Sequence, residues 1–332
     1  MSAVPGAGGA RASRPPWPAD LPVARAWPWA AAVILWLIAC AVSGGFSFQL
    51  LFASLTLAVF LALAGLGQMV VLASGDGSFD LSLPYTITLA GYISAGAISA
   101  PAPERILVAV AVGMAVGAAN GVLTSVLKFP GIIASLAIGY VLFTLILFVE
   151  ANPATSVSGG LYRFIRLQAD GASAVLVIEV AIALVVAALL ARTVYGRFLH
   201  AMGQSRRAAA LAGVPVRRMI VTNFVVCGVL AGCVGVLLTA YDGGAFANMG
   251  DTYLLGSVAA VVVGGTPVGG GKTSVAGTLA GALIMTLLVT MLELTNASPG
   301  AQDLSEGLAV IAVVAGAGLA ARVRRRQKGA AR

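Results

Sequence analysis

The 332-residue chain is 59% hydrophobic and only 10% charged, against roughly 25% charged in ordinary soluble domains, a balance that excludes the soluble-enzyme class. Its net charge of +8 does not point to nucleic acid, because the basic residues cluster beside apolar runs, as membrane orientation signals do. Three cysteines (Cys40, Cys227, Cys233), all in apolar surroundings, suggest buried thiols without a disulfide framework or metal site, and the single histidine, His200, excludes a multi-histidine site.

Residues 1–26 are rich in Ala, Gly and Pro, carry Arg11, Arg14 and Arg25, and have the composition of a disordered leader. Apolar runs near the ~18–20 residues needed to cross a bilayer then recur. The candidate spans are Trp27–Val42, Gln49–Ala73, Leu83–Ala100, Ile106–Leu127, Ile132–Val149, Ala172–Ala191, Met219–Ala240, Tyr253–Gly264, Val275–Leu292 and Leu304–Ala321. The expected fold is therefore all-α and polytopic, with about ten transmembrane helices across residues 27–321 and a basic tail over 322–332.

Charge sets the orientation. With the N-terminus inside, the inner segments hold Arg11, Arg14, Arg25, Lys128, six arginines from Arg192 to Arg218, Lys272 and the tail. The outer loops hold only Arg105, Arg163 and Arg166, so 17 basic residues stand against 3. That asymmetry predicts both termini in the cytoplasm. The weak span is Tyr253–Gly264, about 18 Å of helix against a ~30 Å hydrocarbon core. A re-entrant hairpin there would carry the basic tail outside, so a span lengthened by its neighbours is the expectation. Two features stay open. Arg25, an apolar run and "LIAC" (Leu37–Cys40) resemble a lipoprotein signal with a cleavable cysteine. The pairs Gly113/Gly117, Gly228/Gly232 and Gly277/Gly281 suit either internal helix packing or a dimer seam.

The stretch "VVVGGTPVGGGKTS" (Val261–Ser274) looks at first like a phosphate-binding loop. That loop needs G-x-x-x-x-G-K-[ST] after a buried strand. Counting back from Gly271-Lys272-Thr273, its first glycine falls on Thr266, and Pro267 removes one of the N–H groups that would cradle phosphate. The reading fails, and the stretch is expected to be a glycine-rich turn between helices, with Lys272 at the cytoplasmic boundary.

Three stretches together carry a family resemblance. "GSVAAVVVGGTPVGGG" (Gly256–Gly271), with Gly264, Gly265, Thr266, Gly269 and Gly270, is similar to an A-A-V-V-I-G-G-T-x-x-x-G-G signature. "GSFDLSLPYTITLAG" (Gly77–Gly91) matches a D-L-S segment at Asp80, Leu81 and Ser82, but has Pro84 where a glycine is usual. "YGRFLHAMGQSRRAAALAGV" (Tyr195–Val214) matches a cytoplasmic segment at Gly196, Arg197, Ala201, Gly203, Ala208, Ala209 and Gly213, with Arg206 and Arg207 more basic than the usual pattern. The chain thus resembles, over residues 49–321, the permease subunits of ATP-binding-cassette importers for ribose and related monosaccharides, within the wider group that includes branched-chain amino-acid permeases.

The resemblance implies a bacterial inner-membrane transport subunit without catalytic residues, paired as a homodimer or with a related permease. It also implies a cytoplasmic ATP-binding subunit, which would bind the ATP, and an extracytoplasmic solute-binding protein. The inner connection 192–218 is the natural docking element: "AAALA" (Ala208–Ala212) is helix-forming, punctuated by Gly203, Gly213 and Pro215. Its ATPase-facing residues are expected to be Gly196, Arg197, Ala201, Gly203, Arg206, Arg207, Ala208, Ala209 and Gly213. Acids in or beside a membrane call for a functional reading. Asp76, Asp80 and Glu179 would be relays in a proton-coupled secondary carrier, the main rival, although Asp80 also suits a helix cap. Asp80, Ser82, Tyr85, Tyr92 and Asn120 are the candidate substrate-pathway residues, with a monosaccharide as the expected solute and a nucleoside or amino acid as the alternative.

Overall fold

The structure, a computed structural model, describes residues 22–96, 101–150, 160–165, 167–169, 172–298 and short helical pieces between 300 and 315. The expected disordered leader up to residue 21, the basic tail and most of the span Leu304–Ala321 lie outside the described residues. In chain order the helices are α1 (Pro22–Val42), α2 (Phe48–Ala73), α3 (Leu83–Gly96), α4 (Ala102–Ser125), α5 (Gly131–Glu150) and α6 (Gly160–Ile165). After a minimal hairpin of β1 (Gln168–Ala169) and β2 (Ala172–Ser173) follow α7 (Val175–Arg192), α8 (Val194–Gln204), α9 (Arg206–Leu211), α10 (Val216–Asp242), α11 (Thr252–Val263) and α12 (Val275–Leu294). Apart from that hairpin the described chain is helical, as expected.

Six of these helices, α2, α4, α5, α7, α10 and α12, are long and apolar enough to cross a bilayer. The expected span from Ala172 starts later, at Val175, because Ala172 and Ser173 are in β2 and the Ser173 hydroxyl donates to Ile165 O at 2.9 Å. α1 begins at Pro22, before the expected Trp27, and Cys40 is buried in its last turn. α2 and α10 form the heart: about two thirds of each apolar window is buried, against 22% in α7 and 28% in α5. Helices apolar on every face belong inside a bundle.

Helix contact without large side chains needs another source of closeness. A Cβ on Gly113 would lie 2.0 Å from Gly228 O, one on Gly117 2.3 Å from Phe224 O, and one on Gly232 2.3 Å from Ala109 O. α4 and α10 therefore touch backbone to backbone, the packing that small residues permit in membranes. Gly277 and Gly281 press in the same way on Gly264 and Ala260 of α11. Of the two readings of these spacings, internal packing holds.

Among the described residues two apolar helices, α3 and α11, are short, and both begin deep in the bundle; the expected end of the α3 span, 97–100, lies outside the described residues. α3 and α10 run parallel: a Cβ on Gly235 would meet Ile87 O, and one on Gly91 would meet the Thr239 hydroxyl. The connection after α10 turns at Gly243 (φ 82°), the left-handed conformation glycine takes without strain, and descends. Gly250 ends against Pro84 O in the first turn of α3, and its N–H donates to Thr88 Oγ1 at 3.1 Å. At 1.5 Å per residue this point is about 15 Å back from the C-terminal end of α10. α11 starts there and runs back toward the end of the bundle where α2 stops, and Gly264 meets α12. The weak span of the sequence is thus a 12-residue half-helix led in by a re-entrant connection.

Candidate functional site

The connection 192–218, expected on the inner side, forms a compact junction with the long helices. α7 stops at Thr193, whose backbone is extended (φ −104°, ψ 165°). α8 then folds back so tightly that a Cβ on Gly196 would lie 1.9 Å from Leu190 O, which only glycine permits. On α8, Leu199 and Met202 are buried while Arg197 and Ala201 face outward.

Gly203 is the pivot. A Cβ there would meet Ala73 O at 2.1 Å and Gly271 N at 2.3 Å, and Gly271 N–H itself donates to Ala73 O at 3.0 Å. The end of α2, the end of α8 and the Gly264–Gly271 turn therefore share one contact. In that turn Gly265, Gly270 and Gly271 have φ of 92°, 78° and 80°, Thr266 is buried, and Gly269 has nothing within 4 Å of an added Cβ. The turn follows a helix, α11, as expected of a glycine-rich connection. His200 adds a second tie, with Nε2 2.9 Å from Thr273 Oγ1, and burial lowers its pKa from the ordinary value.

Ser205 caps α9 by accepting from Ala208 N–H at 3.3 Å. The next side chain, Arg206, turns inward: Nη1 pairs with Asp76 Oδ2 at 2.7 Å, Nη2 donates to Gly75 O at 3.2 Å and Nε to Ser74 O at 3.4 Å. A guanidinium on the carbonyls of the C-cap Ser74 and of Gly75, just past α2, satisfies acceptors there and complements the helix dipole. Gly75, Asp76 and Gly77 are all left-handed (φ 85°, 59°, 61°), which aims those carbonyls at it. Sequence reasoning grouped Arg206 with Arg207 as partner-facing and Ala208 with Ala209. The fold separates both pairs: Arg207 and Ala208 are exposed, Arg206 is half-buried and Ala209 is buried. Leu211, not singled out in the sequence, is 85% exposed beside them, and Gly213 (φ 85°) turns the chain into α10.

Deeper in, Asp80, Ser82 and Asn120 form one buried knot. Asp80 Oδ1 accepts from Ser82 N–H (3.0 Å) and Ser82 Oγ (2.6 Å), and Asn120 Nδ2 donates to Ser82 Oγ at 2.7 Å. Gln68 of α2 brackets the Asp80 backbone, accepting from its N–H at 3.0 Å and donating to its carbonyl at 3.2 Å. Ser135 of α5 accepts from Leu81 N–H at 3.0 Å. Asp80 thus orders the start of α3, deep in the bundle. Tyr92 is buried elsewhere on α3, while Tyr85 is half-buried with its ring centroid 5.9 Å from that of Phe143.

Comparison with known proteins gives these arrangements a context. Residues 50–316 match the family described as branched-chain amino acid transport system / permease component. The ribose import permease protein of Haemophilus influenzae is 32% identical over 257 residues, 74% of this chain and 77% of that protein. The L-arabinose transport system permease protein of Escherichia coli K12 is 30% identical over 255 residues, 75% and 76% of the two chains. The ribose import permease protein of the same strain is 29% identical over 255 residues, 74% and 78%. No solved structure matches the chain.

Proposed function

The chain belongs to the family of branched-chain amino acid transport system permease components, and from that membership we propose that it is the membrane subunit of an ATP-driven monosaccharide importer. Ribose and arabinose permeases among its relatives support a pentose as solute. The ATP is bound by a separate cytoplasmic subunit, and an extracytoplasmic protein delivers the sugar. Two permease chains, identical or related, enclose the pathway in a bacterial inner membrane.

In this reading the bundle has about ten membrane segments with both termini inside. The full-length helices, α1, the two half-helices and the C-terminal apolar run make up the set. The distribution of 17 inner basic residues against 3 outer ones supports it.

The observation that carries the reading is the attachment of α8–α9 to the inner ends of α2 and α12. Closure of an ATPase on the outward face of α9 (Arg207, Ala208, Leu211) would move Arg206 and Gly203. Those residues hold the ends of membrane helices through Asp76, Ala73 and Gly271. Ala201 and Arg197 extend the same face along α8.

The test is sugar uptake by the assembled system. Uptake stops when the ATPase is inactivated and survives collapse of the proton gradient while ATP is maintained. Uptake that follows the gradient instead, and is lost on Asp80→Asn or Glu179→Gln, would identify a secondary carrier.

A further inference from the structure

A carboxylate at the middle of a bilayer faces protein, water or a ligand, because hydrocarbon cannot solvate it. Asp251 is such a group. It follows Gly250, the residue seated on the first turn of α3, and opens α11 with no hydrogen bond from its side chain to that helix. Gly250 is buried, while Asp251 and Thr252 beside it are exposed on the surface of the single chain. Non-helical backbone at membrane depth is tolerated only inside protein or along a water-filled cavity. The exposed side of this connection therefore faces the space enclosed between the two permease chains rather than lipid.

The surroundings of Asp251 have the chemistry of a carbohydrate contact. Tyr85 directly follows Pro84, whose carbonyl is the atom that Gly250, next to Asp251, rests on. Gly139 lets the Tyr85 ring close on α5: a Cβ there would be 3.0 Å from the ring. The next residue, Tyr140, is 63% exposed. An ionised carboxylate only accepts hydrogen bonds, with two oxygens to offer. Tyrosine supplies an apolar ring and a polar tip on a stiff side chain.

The geometry points to Asp251, Tyr85 and Tyr140 as a mid-membrane subsite for a neutral polyhydroxyl solute. The carboxylate accepts from adjacent hydroxyls, and the phenol rings cover the C–H face of the sugar. A solute carrying its own carboxylate, such as an amino acid, is repelled there. This subsite rests on the sugar-permease reading and names where the pathway touches its cargo.

The experiment has two arms, both on the complete complex in proteoliposomes. In the first, a charged, membrane-impermeant thiol reagent is applied to Asp251→Cys, Tyr140→Cys and Val177→Cys. The native thiols are a usable background, Cys40 and Cys227 being buried and Cys233 half-buried. Asp251→Cys and Tyr140→Cys react, with D-ribose slowing the reaction, while Val177→Cys, 70% exposed on the outer part of α7, stays unlabelled in lipid. In the second arm, D-ribose uptake falls at least about tenfold in Asp251→Ala, the loss expected for charge-assisted hydrogen bonds, and less in Asp251→Asn. Full uptake by Asp251→Ala, or labelling of Asp251→Cys no faster than that of Val177→Cys, would overturn the subsite. A wild-type complex that imports no sugar while Asp251→Cys still labels overturns the sugar reading and the polyol assignment, and leaves an aqueous pathway at Asp251.

Discussion

Arg206 at the start of α9 reaches Asp76, beyond the end of α2, at 2.7 Å, and the same guanidinium donates to the carbonyls of Ser74 and Gly75. The short helix α9 is thereby fastened to the carbonyl end of α2, which with α10 is the most buried of the six long apolar helices. The Asp76 side chain is 65% exposed and that of Arg206 25%. The ion pair itself therefore contributes little stability, within about 1 kcal/mol. In the proposed coupling its role is mechanical.

Loosening it should uncouple rather than unfold. Arg206→Ala and Asp76→Asn are expected to leave the melting temperature of the detergent-purified chain within a few degrees of wild type. In the assembled complex they lower the amount of sugar moved per ATP hydrolysed. Asp76→Asn has the milder effect, because the two carbonyl contacts of Arg206 survive it. An unchanged transport-to-hydrolysis ratio in both variants would remove Arg206 from the coupling path.

The glycine contacts give a prediction of the opposite kind. A methyl at Gly228 would sit 2.1 Å from Gly113 O, a backbone atom that cannot swing aside. Gly228→Ala should force α4 and α10 apart and destabilise by about 1–3 kcal/mol, as overpacking does in cores. Gly77→Ala has nothing within 4 Å of the added Cβ; its cost comes only from the left-handed backbone, so it is the smaller of the two. Thermal unfolding of both variants in one detergent decides the order.

His200 makes the inner junction sensitive to acid. Burial lowers its pKa in the folded chain below the ordinary 6.5. The unfolded state then binds the proton first, so stability is highest above pH 6.5 and falls as pH drops through that value toward the folded pKa. Protonation also leaves Nε2 only a donor to Thr273 Oγ1. His200→Asn should flatten this part of the stability–pH curve. A slope that persists unchanged in the variant assigns it to other groups.

Much of the fold was legible because a membrane restricts the alternatives. Apolar length marked the long helices, and the glycine pairs marked α4–α10 and α11–α12. Half-helices were harder to see: α3 and the connection before α11 depend on what neighbouring segments bury, and no local periodicity encodes that Gly250 sits on Pro84. The connection 192–218 was singled out, but the orientation of its side chains was not. Arg206 and Arg207 look alike in sequence, and only the left-handed turn Gly75–Gly77 determines which one is drawn inward. Asp251 went unremarked because a short polar connection reads as an outer loop until its depth is known.

The outward face of α9 supplies the last prediction. Ala209 is buried, and its N–H and carbonyl both hold the local turn, donating to Ser205 O at 2.9 Å and accepting from Val214 N–H at 3.0 Å. Ala208 is exposed one position earlier, and Leu211, 85% exposed, presents an apolar side chain at the surface. A single exposed leucine needs no explanation on most surfaces, but here it tops a helix fixed at its base by Arg206. Ala209→Trp should therefore damage the isolated permease, by about 1–3 kcal/mol of steric overfilling. Ala208→Trp and Leu211→Asp should leave the isolated chain as stable as wild type and fail only when the ATPase is added. The measurement is co-purification of the ATPase with each variant, beside the melting temperature of the permease alone. Reversal of Arg207 to Glu tests the electrostatic share, since an effect that shrinks at high salt marks an acidic partner groove. If Ala208→Trp and Leu211→Asp both retain the ATPase and transport at wild-type rates, α9 does not dock the motor.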